Sequence, residues 1–204
     1  MARLPDLQGV PAAAVTGFCW GLAEATVFFI VPDVLLCFWA MKSAKGALAA
    51  TLASAVGSMC GAVLLYLYLD HAAARYTFLH EVWGCLPGFR MKMAETAAEH
   101  LRIRGAAGLI SGPSSGIPYR VYVLEAWKSG LPLGEILLWS PIARLERIVI
   151  APVAVLALRF VAERWLAPRF RQVRWNWLLA MLIVIYWIAL YAWYWGSLVP
   201  RLYG

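Results

Sequence analysis

Thirty-five residues separate Asp6 from Lys42, and only two of them, Glu24 and Asp33, carry charge. Both are carboxylates, set nine positions apart in a stretch otherwise apolar enough to enter a bilayer. An ionised side chain at the centre of a membrane costs at least about 2.5–3.5 kcal/mol on insertion scales. A chain that keeps two such groups there is expected to use them, by binding a proton or by meeting a cation. The pattern points to a membrane protein that moves something.

Composition supports the membrane class. Charged residues make up 14% of the 204 and hydrophobic residues 63%, where a soluble domain carries about 25% charged residues. The expectation is an all-α, polytopic integral membrane protein forming a single domain over 1–204. No cleavable signal is read in the first residues, so the N-terminus is expected to be retained. The net charge of +7 does not imply nucleic acid. Arg159, Arg164, Arg169, Arg171 and Arg174 sit in one connection between apolar segments, as a cytoplasmic loop does under the positive-inside rule. Cys19, Cys37, Cys60 and Cys85 lack CxxC spacing and read as small buried hydrophobes. No metal or cofactor motif is present, and none is expected.

About three full spans can be read. Gly46 to Leu69 is uncharged over its length and rich in small residues that let helices approach closely, with Gly57 and Gly61 in GxxxG spacing. Trp175 to Val199 has Trp175 and Trp177 at one end and Tyr191, Trp193, Tyr194 and Trp195 at the other, which read as interfacial belts. Glu135 to Leu158 is a third span despite Arg144, Glu146 and Arg147 at its middle, with Pro141 and Pro152 as expected kinks. Arg144 and Arg147 share a helix face, while Glu146 lies about 200° around from Arg144. Arginines at that depth belong against the protein interior or a wet cavity.

Two further apolar stretches look broken. Pro32-Asp33 interrupts Ala12 to Ala40, and Gly105 to Tyr119 holds Gly108, Gly112, Pro113, Gly116 and Pro118. Non-helical backbone at membrane depth survives only inside protein or around water, so both are expected to be re-entrant or discontinuous. Between them, Met91, Met93, Ala94, Ala97, Ala98 and Leu101 recur at near-helical spacing, which predicts an amphipathic helix lying on the membrane surface.

Paired discontinuous segments are the architecture of secondary transporters, whose exposed helix ends hold substrate and ion. Glu24 and Asp33 come from the first segment and Arg120 from the end of the second, with Arg144 and Arg147 able to pair with Glu146, Glu24 or Asp33. Gly112-Pro113-Ser114-Ser115-Gly116 matches G-x-S-x-G, but that motif needs a strand-to-helix turn and a histidine base. His71, His80 and His100 all lie upstream, in the connection read as surface. The expectation is therefore not an enzyme.

These residues resemble the DedA family, whose domain is also called VTT or SNARE-associated, in its short branch. Glu24 followed by Pro32 and Asp33-Val34-Leu35-Leu36 is similar to the family's glutamate and first re-entrant turn. Gly57-Ser58, Gly61 and Tyr66 are similar to its next helix, and Gly116-Ile117-Pro118-Tyr119-Arg120 to its second turn, where a proline precedes an arginine. The resemblance covers about residues 15–160, with 175–199 as an additional C-terminal span. Ser114 stands where the family has an earlier arginine, which makes Arg144 the candidate for that charge. The resemblance implies a lipid scramblase, or a proton-coupled flippase for a phosphate-bearing lipid such as undecaprenyl phosphate or a phospholipid. It also implies a bacterial inner-membrane location.

The expected site is thus Glu24, Asp33, Arg120, Arg144 and Arg147, with Pro32, Pro118 and Tyr119 forming the two turns. The expected partners are lipid phosphate groups and protons; homo-oligomerisation is left open. Alternatives are an assembly protein with structural buried charges, or a transporter of small ions or solutes. A re-entrant first segment would put Arg3, Lys42, Lys45 and the arginine cluster on the cytoplasmic side.

Overall fold

A computed structural model describes residues 9–28, 30–71, 74–85, 89–166 and 175–203, and every regular element among them is helical. Arg3 and the cluster members Arg169, Arg171 and Arg174 lie outside the described residues.

The first broken stretch folds into a helical hairpin. Helix α1 (Gly9–Glu24) runs inward and α2 (Asp33–Lys42) runs back. Pro32 has no N–H to lose at a helix start, and Asp33 in the first turn suits the positive end of the helix dipole. Two indoles pin the hairpin: Trp20 Nε1 donates to the Ile30 carbonyl at 3.0 Å, and Trp39 Nε1 to Thr16 Oγ1 at 3.1 Å. After one extended residue, Ser43, the long helix α3 (Ala44–Asp70) sets off parallel to α1, with the Ser43 hydroxyl accepting from the Gly46 N–H as its cap.

Helices α1 and α3 touch backbone to backbone. A Cβ added to Gly17 would fall 2.3 Å from the Ala50 carbonyl oxygen, and one on Gly21 would fall 2.1 Å from that of Ser54. From the other side, a Cβ on Gly57 would meet the Phe18 carbonyl at 2.1 Å, and one on Gly61 the Leu22 carbonyl at 2.9 Å. The GxxxG spacing is therefore a packing device, and it fixes the register of the first hairpin on α3.

The region expected to hold one surface helix contains two, α4 (Ala74–Gly84) and α5 (Met91–Arg104). The amphipathic pattern of α5 is real, but Met93, Ala94, Ala97 and Leu101 are buried against protein. That apolar face covers the second broken stretch instead of lying in the lipid interface. A tight 3-10 turn (Gly105–Ser111) and the one-turn α6 (Gly112–Ser115) follow, and Gly116, at φ +71°, reverses the chain. Pro118 then opens α7 (Tyr119–Lys128), which returns alongside α5, with His100 Nδ1 2.8 Å from the Tyr122 hydroxyl.

The third expected span is two helices end to end, α8 (Leu133–Ile148) and α9 (Ile150–Val161). The break falls at Val149 because Pro152 has no N–H for the Ile148 carbonyl. Pro141 is accommodated within α8. Together α8 and α9 run antiparallel to α3. Leu131, just before α8, accepts from the Tyr66 hydroxyl near one end of α3, and Arg159 Nη1 reaches the carbonyls of Met41 (3.0 Å) and Lys42 (3.2 Å) near the other. Beyond a π-helical turn (Ala162–Leu166), α10 (Trp175–Trp193), a second π-helical turn (Tyr194–Leu198) and α11 (Val199–Tyr203) complete the described chain.

Two stretches are long and apolar enough to cross a membrane, Ala44–Asp70 and Trp177–Tyr203. Divided at Val149, neither α8 nor α9 reaches the roughly 20 residues a span needs. The outward faces are apolar nonetheless: Leu48, Leu52 and Val56 on α3, Leu138 and Ile142 on α8, Ile150 and Val153 on α9 are all exposed. Glu24, Asp33, Arg120, Glu125 and Arg144 are buried. Large exposed apolar faces over a core that holds five buried charges are the opposite of what a water-soluble fold favours, although other charges, such as Lys92, Glu95 and Arg102 on α5, are exposed.

The glycine seam gives a direct check. Gly57→Leu should prevent α1 from seating on α3, since the obstructing atom is backbone and overpacking already costs about 1–3 kcal/mol where side chains can yield. Loss of a monodisperse peak on size exclusion in detergent is expected, whereas Gly84→Leu, with open space at its Cβ, should behave as the parent.

Candidate functional site

The tips of the two hairpins meet α8, and the five charged candidates converge there. Glu24, the last residue of α1, receives both terminal nitrogens of Arg144 from α8. Nη2 lies 2.7 Å from Oε2 and Nη1 3.5 Å from Oε1. Both residues are 3% exposed. One turn further along α8, Arg147 Nε stands 3.7 Å from Asp33 Oδ2, and Asp33 Oδ1 is buried with no hydrogen-bond partner. The two pairs therefore differ: the first is a closed fork and the second is loose, on a guanidinium that is partly exposed. Glu146 is exposed, so the alternative in which it pairs with the α8 arginines is not the one found.

Arg120 is placed by the second turn. It is the second residue of α7, and its Nη1 donates to the Phe28 carbonyl in the first hairpin at 2.5 Å. Its guanidinium also stacks on the buried Trp83 ring of α4 at 5.3 Å. Among the described residues no carboxylate lies within ion-pair distance of it, and Arg120 Nε is buried without a hydrogen-bond partner. Tyr119 beside it supports Arg144, whose guanidinium lies 5.1 Å from the ring, while the Tyr119 hydroxyl bonds Ser140 Oγ on α8 at 2.5 Å.

A partly open cavity of about 120 Å³ sits against these groups, lined by Glu24, Arg120, Arg147, Val31 and Pro118 and closed by aromatic residues of the C-terminal helix. That is room for several waters or one small anion. Its rim includes Val31 and Pro118, next to the N-terminal ends of α2 and α7, where helix dipoles favour negative charge. Three guanidinium groups face two carboxylates, so the fully ionised cluster carries a net charge of +1.

Tyr191, Tyr194 and Trp195 are not the interfacial belt their positions suggest; all three line this cavity. The Tyr191 hydroxyl accepts from the Val31 N–H at 2.9 Å, and the Tyr194 hydroxyl donates to the Gly116 carbonyl at 2.5 Å. One helix thereby ties both hairpin tips. Trp193, by contrast, is exposed.

A second polar cluster was not anticipated. Glu125, 2% exposed on α7, accepts from the Tyr76 hydroxyl at 2.8 Å and lies 3.1 Å from His80 Nε2. Burial and the neighbouring Glu125 carboxylate both push the Tyr76 phenol above its usual range, so it remains a donor. His80 and Trp83 are one turn apart on α4, so a single helix touches both Glu125 and Arg120. The sequence signal was the spacing of Arg120 and Glu125 on one short helix, and the histidine looked peripheral only because α4 did. The G-x-S-x-G segment forms α6, where the Ser114 hydroxyl donates to the Ser111 carbonyl and His100 reaches Tyr122 instead. The four cysteines are free thiols, but only Cys37 is buried as expected: Cys60 is half-buried, and Cys19 and Cys85 are exposed, on outward positions that an apolar thiol also suits. Among the described residues no cluster suits a metal ion.

Removing half of the closed fork should be worse than removing all of it. Glu24→Gln leaves a buried guanidinium uncompensated and should cost about 3–5 kcal/mol, while Glu24→Gln with Arg144→Met should recover most of the loss. Thermal unfolding in detergent reads both, and equal losses in the single and double variants would show that the pair does not link the hairpin to α8.

Comparison of the chain with protein-family models, with curated proteins and with solved structures returns no match, so the resemblance read from the motifs has no support from these comparisons.

Proposed function

We propose that the protein translocates a phosphate-bearing membrane lipid, with its head group carried in the cavity beside Arg120. The observation that carries this reading is Arg120 itself: a buried guanidinium with no carboxylate partner among the described residues, facing a cavity whose cluster is one positive charge in excess. A buried cation calls for an anion. A guanidinium fork matches phosphate oxygens, and Arg147 can offer a second one from the opposite wall. A singly charged phosphodiester or phosphomonoester head would neutralise the cluster.

The reading takes the chain to be a multi-pass protein of a bacterial inner membrane. In it α3, the α8–α9 pair and the C-terminal helix cross the bilayer while the two hairpins enter part of the way from opposite sides. The outward apolar faces and the antiparallel course of α8–α9 along α3 support it. Lys42 and Arg159 share one end, which the positive-inside rule makes cytoplasmic. The substrate class comes from the motif resemblance to the DedA family.

Protons enter through the carboxylates. Asp33 has an oxygen without a partner and only a loose contact to Arg147, so it is the group placed to take up a proton as the arginine turns to phosphate. Glu24, closed on Arg144, holds the hairpin to α8 in the meantime. A second reading, in which the charges are purely structural, is favoured by that closed fork alone. It leaves Arg120 held by a carbonyl and an indole ring but without a counter-charge among the described residues.

Purified protein in proteoliposomes should move a fluorescent phospholipid between leaflets faster than protein-free vesicles. Arg120→Gln should lower the rate at least about tenfold, since a charge-assisted hydrogen bond is worth about 1.5–3 kcal/mol. Asp33→Asn should flatten the dependence of rate on pH. Both variants should remain folded by size exclusion. Folded variants that flip lipid as the parent does would remove these residues from any transport mechanism, and proton flux without a lipid requirement would favour an ion transporter.

A further inference from the structure

We infer that an apolar groove on the outer side of the cavity, between α2 and α10, holds the hydrocarbon tail of the same amphiphile whose phosphate the cavity binds, so that the ligand enters sideways from the bilayer. The inference rests on the head-group reading above and goes beyond it by assigning a second half to the site.

The groove measures about 590 Å³, within the roughly 300–1,000 Å³ of ordinary ligand clefts. Val34 and Phe38 of α2 form one wall, and Val184, Ile188 and Ala192 of α10 form the other. No charged side chain lines it. Its inner boundary is made by Trp187, Tyr191 and Trp195, and these three residues also line the polar cavity. The cavity and the groove are therefore two sides of one aromatic partition, spaced at four-residue intervals along α10 and the π-helical turn that follows it.

Each half by itself is incomplete. A soluble anion would satisfy Arg120 and Arg147 and leave the groove unused. A purely apolar molecule would fill the groove and leave the guanidinium groups unmatched. A long-chain alkyl phosphate satisfies both, with the aromatic partition at the junction of its polar and apolar parts, where indole and phenol rings fit well. The groove opens outward beside Phe38, Val184 and Ile188, which are exposed on the face that the proposed fold turns to lipid. Its occupant is thus drawn from the membrane.

The test uses full-length protein held in amphipol, free of phospholipid, titrated calorimetrically with inorganic phosphate, butyl phosphate, dodecyl phosphate and dodecanol. Dodecyl phosphate should bind at least about tenfold more tightly than butyl phosphate, since each buried methylene is worth up to about fourfold in affinity. It should also bind more tightly than dodecanol. Ala192→Trp, which fills the groove from an exposed position, should bring dodecyl phosphate down to the butyl phosphate level while inorganic phosphate binds as before. Ile188→Ser, which adds no bulk, should move in the same direction. Equal affinity across chain lengths, or an Ala192→Trp variant that binds dodecyl phosphate like the parent, would overturn the groove assignment and leave the head-group reading standing. Phosphate and butyl phosphate affinities that ignore Arg120→Gln would instead overturn the head-group reading, and with it the coupling of the two halves.

Discussion

The ion pair between Glu24 and Arg144 decides how this chain can be assembled. It joins the end of the first inward helix to the middle of α8, across 120 positions of sequence, with both partners all but inaccessible to solvent. Two charges taken out of water recover little net stability, even with good geometry. The pair therefore acts mainly as a specification: any packing that separates the partners leaves one buried charge uncompensated. With the fork closed, Asp33 comes within reach of Arg147 one helical turn away, and the tips of both hairpins face a common space.

Around that fixed point the polar groups are arranged in order of looseness. Glu24 and Arg144 neutralise one another through both terminal nitrogens, leaving only Arg144 Nε without a partner. Asp33 and Arg147 are in long contact, with an oxygen left over. Arg120 leans on a carbonyl and an indole ring and has no counter-charge of its own among the described residues. A purely structural cluster would tend to close every pair, because buried unmatched groups cost stability. The two looser guanidinium groups, Arg120 and Arg147, line the cavity and Arg144 does not, which is why the open end is assigned to a ligand.

Much of this was legible in the sequence, for identifiable reasons. Prolines and glycines in apolar runs marked both reversals, since Pro32, Gly116 and Pro118 have backbone constraints that no lipid-facing helix interior tolerates well. The charged residues stood out because so few exist. What the sequence left open was pairing. Glu146, Glu24 and Asp33 all stood open as partners for Arg144 and Arg147, and only the tertiary course of α8 decides among them. Local pattern also misplaced α5, whose apolar face suits a membrane surface as well as a protein one. Tyr191 and Tyr194 looked like interfacial anchors because an aromatic near a helix end reads the same whether it meets head groups or another helix. The cluster of Glu125, His80 and Tyr76 was missed because Tyr76 and His80 sit on α4, in the connection read as surface, and Glu125 sits on α7 at least 45 positions further along the chain.

The parallel seam between α1 and α3 limits how such a molecule can work. Carbonyl oxygens of one helix sit where the other has only hydrogen atoms, at four successive levels, so the first hairpin has no room to slide or rotate against α3. These parts form a stator. The C-terminal helix meets the hairpin tips differently, through the hydroxyls of Tyr191, Tyr194 and Tyr203 and a row of rings, contacts that can part without moving the backbone beneath them. In the translocation proposed above, the tail helix would be the rotor against this stator, and these tyrosines the latches that each half-cycle releases.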